Sequence, residues 1–237
     1  MIKTKEIIYQ LLAKVKILPF VHALILFKKI EIDYGHFLSV FKMSSVDSKG
    51  EPIPWFTYPA IDYLKSIDLS RKTVFEFGSG NSTIFWAKRC KKVISVEHDK
   101  KWYEKTLSKL KELRQNQKRA ELIFAPSKKN YLESIKKYKY RFDIIVIDGL
   151  YREECIKEEI LKKLRPNGWI ILDNSEHYPK MAKKLGKEGF TKIDFTGFGP
   201  INPYAWSTSI FLNQIINDGE WKTSISPIIS KVYSTKL

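Results

Sequence analysis

The stretch that most constrains the fold is Thr73–Ala87, which reads TVFEFGSGNSTIFWA. Its apolar segment Val74–Phe77 predicts a buried strand, and Gly78-Ser79-Gly80 predicts a tight turn. A helix is expected to begin near Asn81 or Ser82. A glycine turn between a strand and a helix brings backbone N–H groups and a helix N-terminus to one point, which is a place where proteins bind cofactors. The stretch therefore predicts an α/β sheet with a cofactor site at the end of its first strand.

A dinucleotide cofactor fits this turn poorly. The third glycine of the dinucleotide fingerprint is replaced by Thr83, and Glu76 places a negative charge where a pyrophosphate would approach. A cofactor with a cationic amino-acid end is favoured instead. S-adenosylmethionine has such an end.

Glu97 is the second element of the predicted cofactor site. Lys92–Val96 predicts the second strand, and Glu97 follows it at the 19th position after Gly78. A carboxylate about 20 residues after the glycine turn binds ribose hydroxyls in nucleotide-binding α/β folds. Glu97 is therefore predicted to bind the ribose, with His98 beside it.

Acidic residues also follow two later strands. Phe142–Ile147 is a continuous apolar run, typical of a strand buried on both faces of a sheet, and Asp148 follows it. Trp169–Leu172 predicts another strand, followed by Asp173-Asn174. Because the carboxyl ends of parallel strands form the edge that binds ligands in open α/β sheets, these side chains are expected to share one site.

The net charge and the cysteines bear on partners and compartment. A net charge of +16 is compatible with a nucleic-acid partner. The lysines, however, are spread over predicted helices, which is typical of solvated helix faces. Cys90 and Cys155 provide neither a disulfide framework nor metal-ligand spacing, so a reducing, cytoplasmic setting is predicted.

The chain is predicted to divide into a helical N-terminal extension or cap (1–50), a main domain (51–214) and a C-terminal tail (215–237). The extension contains two predicted helices, Glu6–Val15 and Leu18–Ile30. The apolar run Ile17–Phe27 is too short to span a bilayer and lacks a signal-peptide cleavage site, so no transmembrane segment is expected. Its flanking lysines leave an interfacial helix open as an alternative to a cap packed on the main domain.

Taken together, these motifs resemble the class I S-adenosylmethionine-dependent methyltransferases. The resemblance runs from Trp55 to Leu212 and rests on FEFGSGNST, VISVEHD, FDIIVIDG, GWIILDN and a final pair of strands joined without a helix. It implies an α/β, Rossmann-like fold with a mostly parallel seven-stranded sheet in the order 3-2-1-4-5-7-6, its seventh strand antiparallel, and flanking helices. It also implies an enzyme that transfers the methyl group of S-adenosylmethionine.

The resemblance assigns residues to a cofactor side and an acceptor side. The predicted cofactor-binding residues are Glu76, Gly78, Ser79, Gly80, Asn81, Ser82, Glu97, His98, Ser127 and Asp148. The predicted acceptor-binding residues are Trp55, Tyr58, Arg152, Tyr178 and Asn202. A hydroxyl acceptor needs a general base or a metal ion near neutral pH, and Asp148 and His177 are the candidate bases.

A metal site is an open alternative at the same edge. Asp148, Asp173 and Asn174 are similar in placement to the ligands of metal-dependent catechol- and caffeoyl-type O-methyltransferases, and three oxygen ligands suit Mg²⁺. Those relatives carry a lysine shortly after the first aspartate, where this chain has Leu150-Tyr151-Arg152. Asp173-Asn174 also suits a helix cap or an Asx turn.

The predicted function is methylation of an oxygen atom in a small metabolite or in a sugar or glycan precursor. Methylation of RNA or DNA is an alternative that the charge favours. Against it, Asp148-Gly149-Leu150-Tyr151 stands where amino-methylating enzymes often have an Asn-Pro-Pro-Tyr-like motif. A non-catalytic binding protein that has kept the fold is a second alternative, which the intact glycine turn and Glu97 disfavour.

Overall fold

The computed structural model describes residues 14, 16–113 and 117–213. The predicted tail 215–237 lies outside the described residues, and so does nearly all of the predicted helix Glu6–Val15.

A seven-stranded sheet forms the centre of the molecule. Its strands are β1 Thr73–Phe77, β2 Lys92–Glu97, β3 Ala120–Phe124, β4 Phe142–Ile147, β5 Leu164–Asp173, β6 Thr191–Gly197 and β7 Trp206–Leu212. They pair in the order β3-β2-β1-β4-β5-β7-β6, and β7 runs antiparallel to both of its neighbours. This order and the antiparallel seventh strand confirm the predicted fold.

Helices cover both faces of the sheet and precede it. The α-helices of the described residues are α1 Leu18–Tyr34, α2 His36–Phe41, α3 Tyr58–Ser66, α4 Asn81–Arg89, α5 Lys100–Glu112, α6 Lys128–Glu133, α7 Glu158–Leu161 and α8 Pro179–Lys187. Short 3-10 helices lie at Gln117–Arg119, Ser134–Lys137, Arg152–Ile156 and Ser175–His177. Within the described part of the chain, no helix is both long enough and apolar enough to cross a membrane.

The connection between β4 and β5 is not one continuous helix. A 3-10 helix at Arg152–Ile156 is followed by the single turn of α7. Lys157 separates the two because its backbone is extended, with ψ 149°. Pro166-Asn167-Gly168 lies inside β5, where the register with β4 shifts.

Alternating side chains of the central strands supply two apolar layers, one on each face of the sheet. Val74 and Ile144 point to the layer under α3 and α4, which contains the fully buried Trp86. Phe75 and Ile145 point to the opposite layer under α6, α7 and α8. Because β4 is buried on both faces, its apolar sequence is continuous rather than alternating.

The segment before the sheet is tied to the last two strands. The buried Thr57 donates its backbone N–H to Thr208 Oγ1 (3.1 Å) and its hydroxyl to the Phe195 carbonyl oxygen (2.8 Å). Further upstream, Gly35 joins α1 to α2 with φ 67°, and a Cβ there would lie 2.4 Å from the Ser48 nitrogen. Only glycine therefore fits at this joint.

Thr57→Val tests the connection between the N-terminal segment and β6. The substitution keeps the side-chain shape but removes the hydroxyl donor to the Phe195 carbonyl, so the free energy of unfolding should fall by about 1–2 kcal/mol. Urea denaturation measures the change. The control Thr191→Val, at an exposed position on β6, should change the free energy by less than about 0.5 kcal/mol. Equal effects of the two substitutions would contradict the assigned role of Thr57.

Candidate active site

A cavity of about 750 Å³ lies at the carboxyl ends of the parallel strands. This volume is within the range of ligand pockets, and the position is the one at which open α/β sheets bind ligands. The lining residues are Met43, Ser44, Ser45, Trp55, Gly78, Ser79, Gly80, Asn81, Ser82, Glu97, His98, Asp99, Trp102, Lys105, Thr106, Lys109, Asp148, Gly149, Leu150, Arg152, Asp173, Asn174, Asn202, Tyr204 and Trp206.

The glycine turn forms one wall of the cavity and depends on close backbone contacts. Gly78 has φ 108°, and a Cβ there would lie 3.0 Å from the Gly149 nitrogen. A Cβ on Gly149 would in turn lie 2.2 Å from the hydroxyl of Tyr131. The turn after β1 therefore packs directly on the turn after β4. Asn81 and Ser82, in the first turn of α4, also line the cavity.

Glu76 does not line the cavity, which corrects its predicted contact with a cofactor. Its fully buried carboxylate accepts hydrogen bonds from Thr83 Oγ1 (2.6 Å), Ser95 Oγ (2.6 Å) and Trp86 Nε1 (3.2 Å). Burial raises the pKa of Glu76, and the hydrogen bonds oppose this rise. The residue lies on the same face of β1 as Val74, so it connects β1 and β2 to the start of α4 beneath the turn.

Glu97 does line the cavity, at the end of β2. Its Oε1 accepts from the backbone N–H groups of His98 (2.8 Å) and Asp99 (2.9 Å). Its Oε2 accepts from Ser79 Oγ at 2.9 Å. These bonds fix the carboxylate beside the glycine turn, where it can accept bonds from a ribose. The His98 ring also lines the cavity, with Nδ1 at 2.9 Å from Glu97 Oε1.

One face of α5 contributes cavity residues that the sequence analysis missed. Trp102, Lys105, Thr106 and Lys109 follow helical spacing and all line the cavity. Trp102 donates its indole N–H to the Ser79 carbonyl, so its ring rests on the glycine turn. The three- and four-residue spacing of these side chains indicates that they share one face of α5. The sequence analysis assigned the lysines of the predicted helices to solvated faces and therefore did not place Lys105 and Lys109 in the site.

The N-terminal segment contributes a second missed group. Asn81 Nδ2 donates to Ser44 Oγ (2.9 Å) and to the Ser45 carbonyl (2.6 Å), and Lys109 Nζ donates to Asn81 Oδ1 (2.6 Å). Burial and the neighbouring Lys105 lower the pKa of Lys109. The residues that follow α2 are thereby held against the start of α4. No local sequence pattern indicates this contact.

Arg152 organises the other half of the cavity. Its guanidinium donates to the Gly149 carbonyl (3.0 Å), the Asp148 carbonyl (3.1 Å), Asp148 Oδ1 (3.2 Å) and Asn174 Oδ1 (3.1 Å), and also to the Asp173 carbonyl. These acceptors match the five N–H donors of a guanidinium. Arg152 therefore links the end of β4 to the end of β5.

Two carboxylates flank this guanidinium and differ in their surroundings. Asp148 is 22% exposed in its side chain; burial and the nearby Asp173 raise its pKa well above the usual range, although Arg152 opposes the rise. Asp173 Oδ1 accepts from Trp206 Nε1 (3.0 Å) and Thr208 Oγ1 (2.6 Å). Burial raises the pKa of Asp173 to about 6. Asp148 is thus the more exposed of the two carboxylates in the cavity.

The donor set at this edge does not fit the predicted Mg²⁺ site. Asp148 and Asn174 already bind the guanidinium of Arg152, and the Asp173 side chain binds β7. Among the described residues, no three His, Cys, Asp or Glu side chains are grouped so as to hold a metal ion. The guanidinium of Arg152 binds the side chains of two of the three predicted ligands, and it binds the third, Asp173, through its backbone carbonyl.

The remaining predicted residues fall into two groups. Trp55 and Asn202 line the cavity, as do the predicted residues of the glycine turn. Tyr58, Ser127, His177 and Tyr178 do not line it.

Each of these four has other contacts. Tyr58 is buried, with its hydroxyl 3.1 Å from His36 Nδ1. Ser127 caps α6 by accepting from the Asn130 N–H. The His177 side chain is 72% exposed, with Nε2 3.6 Å from Glu176 Oε1. Tyr178 packs against Arg152, whose Cζ lies 5.7 Å from the ring centre. The structure therefore leaves Asp148 as the one predicted base in the cavity.

Residues 75–175 match the model of a family described as a methyltransferase domain. The matched range begins in β1 and ends just after β5, so it contains the glycine turn, Glu97, Asp148 and Asp173. This match supports the resemblance and confirms the predicted enzyme class, a methyltransferase. None of the curated proteins matches the sequence significantly.

Several solved structures are similar to this chain at low identity. A methyltransferase from Pyrococcus furiosus is 19% identical, with 82% of this chain and 98% of that chain covered and a TM-score of 0.49. An rRNA methylase from Streptococcus thermophilus is 19% identical, with coverages of 67% and 97% and a TM-score of 0.48. A protein from Streptococcus mutans, assigned as a methyltransferase and bound to SAH, is 20% identical, with coverages of 64% and 94% and a TM-score of 0.46. Such likeness carries no information on the acceptor.

Asp173→Asn tests the electrostatics of the acceptor half. Because the pKa of Asp173 is raised on folding, its protonation stabilises the fold below about pH 4, and this contribution is lost as the pH rises through about 6. Asn keeps an acceptor for Trp206 and Thr208 but does not titrate. Relative to the variant, the wild-type chain should therefore be less stable at pH 7 than at pH 4, by about 3 kcal/mol.

Urea denaturation of both chains across this pH range gives the difference. The control Asp33→Asn, at an exposed ion pair, should show a difference below about 0.5 kcal/mol at every pH. A pH-independent difference for Asp173→Asn would contradict the raised pKa.

Proposed function

The chain is a methyltransferase, since its residues 75–175 match a methyltransferase domain, and from this premise we propose that it transfers the methyl group of S-adenosylmethionine to an oxygen atom. The acceptor is a hydroxyl group of a small metabolite or of a sugar or glycan precursor. The proposal rests on Asp148, a partly exposed carboxylate with a raised pKa in the cavity that also contains the glycine turn.

The cofactor half of the cavity fits S-adenosylmethionine. The first turn of α4 carries no acidic residue, so its free N–H groups suit the carboxylate of the methionine moiety. Glu97 suits the ribose hydroxyls, and His98 lies beside it on the side of the nucleoside. Side chains on Gly78 or Gly149 would collide with the facing turn, and this constraint preserves the space for the cofactor.

Asp148 has the properties of a general base for a hydroxyl. When bound, S-adenosylmethionine supplies a methyl group that is activated by the positive sulfur. Asp148 would accept the proton of the acceptor hydroxyl during the transfer of that methyl group. A carboxylate with a raised pKa is a stronger base than an ordinary aspartate. Arg152 holds Asp148 in position through Oδ1 and does not need a metal ion to do so.

The acceptor half is polar with an aromatic rim. Asn174 and Asn202 offer amide groups, while Trp55, Tyr204 and Trp206 offer ring surfaces. A few polar groups among aromatic rings are typical of sites for small polar ligands such as sugars.

Several lysines on the helix faces are held in ion pairs. Lys128 pairs with Glu154, Lys136 with Glu159, and Lys162 with Glu158 (2.6 Å). We therefore prefer a small acceptor to a nucleic acid. Cys90 and Cys155 are both buried as free thiols, which suits a reducing compartment such as the cytoplasm.

Glu97→Ala tests the cofactor half. Loss of the charged acceptor for ribose hydroxyls should weaken S-adenosylmethionine binding about 10- to 100-fold, because hydrogen bonds to charged groups contribute about 1.5–3 kcal/mol. Isothermal titration calorimetry measures the affinity. The control Glu104→Ala, at an exposed position on α5, should leave it unchanged. Unchanged affinity in Glu97→Ala would refute the ribose assignment, and no binding to the wild-type chain would favour a non-catalytic protein.

Asp148→Asn tests the chemistry. The wild-type enzyme is screened with isotope-labelled S-adenosylmethionine against hydroxyl-bearing metabolites and sugars, with RNA and DNA as further arms. With the acceptor so found, Asp148→Asn should lower kcat at least about 100-fold while S-adenosylmethionine affinity changes little. Excess EDTA should leave wild-type activity undiminished, because Arg152 takes the place of a metal ion. A product methylated at nitrogen, labelled nucleic acid alone, or loss of activity in EDTA would contradict the proposal.

A further inference from the structure

An exposed apolar surface lies on the two helices that precede the catalytic domain. None of the residues of α1 is buried, although half of the helix is apolar. The surface, which we call the apolar ledge, consists of six side chains that are each 57–88% exposed: Phe20, Leu24, Leu26, Phe27, Phe41 and Met43. Phe27 packs on Phe37 with 4.6 Å between ring centres, so α1 and α2 form one continuous surface.

The ledge is too apolar to be an ordinary solvated helix face. Leu24, Ile25, Leu26 and Phe27 are consecutive and all exposed, and successive residues point about 100° apart, so together they surround the helix. A helix that is apolar on all sides is normally covered by a core or by lipid. Contiguous exposed apolar patches of this kind mark interaction sites.

We propose that the apolar ledge docks on the surface of an anionic phospholipid membrane. The apolar segment of α1, Leu18–Phe27, is about 15 Å long, which is half the thickness of a bilayer core of about 30 Å. Lys14 and Lys16 precede this segment, and Lys28 and Lys29 follow it. Because lysines stand at both ends, both ends stay at the lipid headgroups, and the helix lies in the plane of the interface.

The positive charge around the apolar ledge favours a lipid surface over a second copy of the chain as its partner. A membrane with anionic headgroups complements the lysines that flank the segment and the net charge of +16. A second copy packed on the ledge would bring the same lysines together. The acidic residues of α1 lie in its last turns: Glu31 accepts from the Phe37 N–H and Asp33 lies 3.9 Å from Lys29. They leave the apolar segment itself free of negative charge.

The ledge is fixed relative to the cavity. Ser39 Oγ in α2 donates to the Val46 carbonyl (2.6 Å), and Asn81 at the start of α4 holds Ser45. Met43 belongs both to the ledge and to the cavity wall. Docking of the ledge therefore places the mouth of the cavity beside the lipid surface.

Co-flotation with vesicles tests the proposal on the full chain. The protein should float with vesicles that contain phosphatidylglycerol. It should bind at least about tenfold less to pure phosphatidylcholine, or in about 1 M salt, where the Debye length falls to about 3 Å. Phe20→Ser with Leu24→Ser should lower binding at least about tenfold. The matched control, Ile193→Ser with Phe198→Ser, removes exposed apolar side chains elsewhere and should bind like the wild type.

A second set of variants tests the lysines that flank the apolar ledge. Lys28→Gln with Lys29→Gln should lower binding to anionic vesicles about tenfold, whereas Lys180→Gln with Lys183→Gln, on the exposed face of α8, should change it less than about threefold. Absence of wild-type binding, or equal losses in test and control variants, would overturn the proposal. So would a dimer in sedimentation equilibrium that Phe20→Ser with Leu24→Ser dissociates, because the partner would then be a second copy. None of these readouts requires methyl transfer, so they fail or succeed independently of the proposed function.

Discussion

A buried carboxylate holds the cofactor half of this enzyme together. Glu76 lies beneath the glycine turn and accepts from Ser95 on β2 and from Thr83 and Trp86 on α4. Three elements therefore meet at one side chain, and the direction of α4 relative to the sheet follows from it. Asn81 and Ser82 at the start of α4 line the cavity, and the carboxylate anchors this end of the helix through Thr83. The negative charge of Glu76, which disfavours a dinucleotide, thus binds groups of the protein and not a ligand.

The acceptor half of the cavity depends in the same way on one positively charged side chain, Arg152. Arg152 contacts both turns that follow β4 and β5, and its five donors are all used within the site. The guanidinium gives the two aspartates a shared counterion, yet burial still raises the pKa of both. A carboxylate that is both held in place and easily protonated is what base chemistry on a hydroxyl requires.

How far the site is predictable from the sequence depends on the range of each contact. The strands, the glycine turn and Glu97 follow from apolar runs and a fixed spacing along the chain, whereas the strand order was implied by the resemblance to the class I methyltransferases. The position of Glu76 was also accessible, because residues two apart in a strand share a face and Val74 clearly belongs to the core. The hydrogen-bond partners of Asp173 were not predictable from the sequence, since Trp206 and Thr208 lie more than 30 residues further along the chain. Arg152 was expected to bind an acceptor, and only its contacts reveal that it binds the protein.

The strand order also determines which part of the site is completed last during synthesis of the chain. Because β7 inserts between β5 and β6, the last described strand supplies the partners of Asp173 and of Thr57. During synthesis the glycine turn and Glu97 emerge long before Trp206, whereas a domain generally folds as a unit. The nascent chain therefore carries the parts of the donor site while the edge of β5 still lacks its neighbour. Translation completes the acceptor side last, so a truncated product retains the cofactor residues without the means to use them.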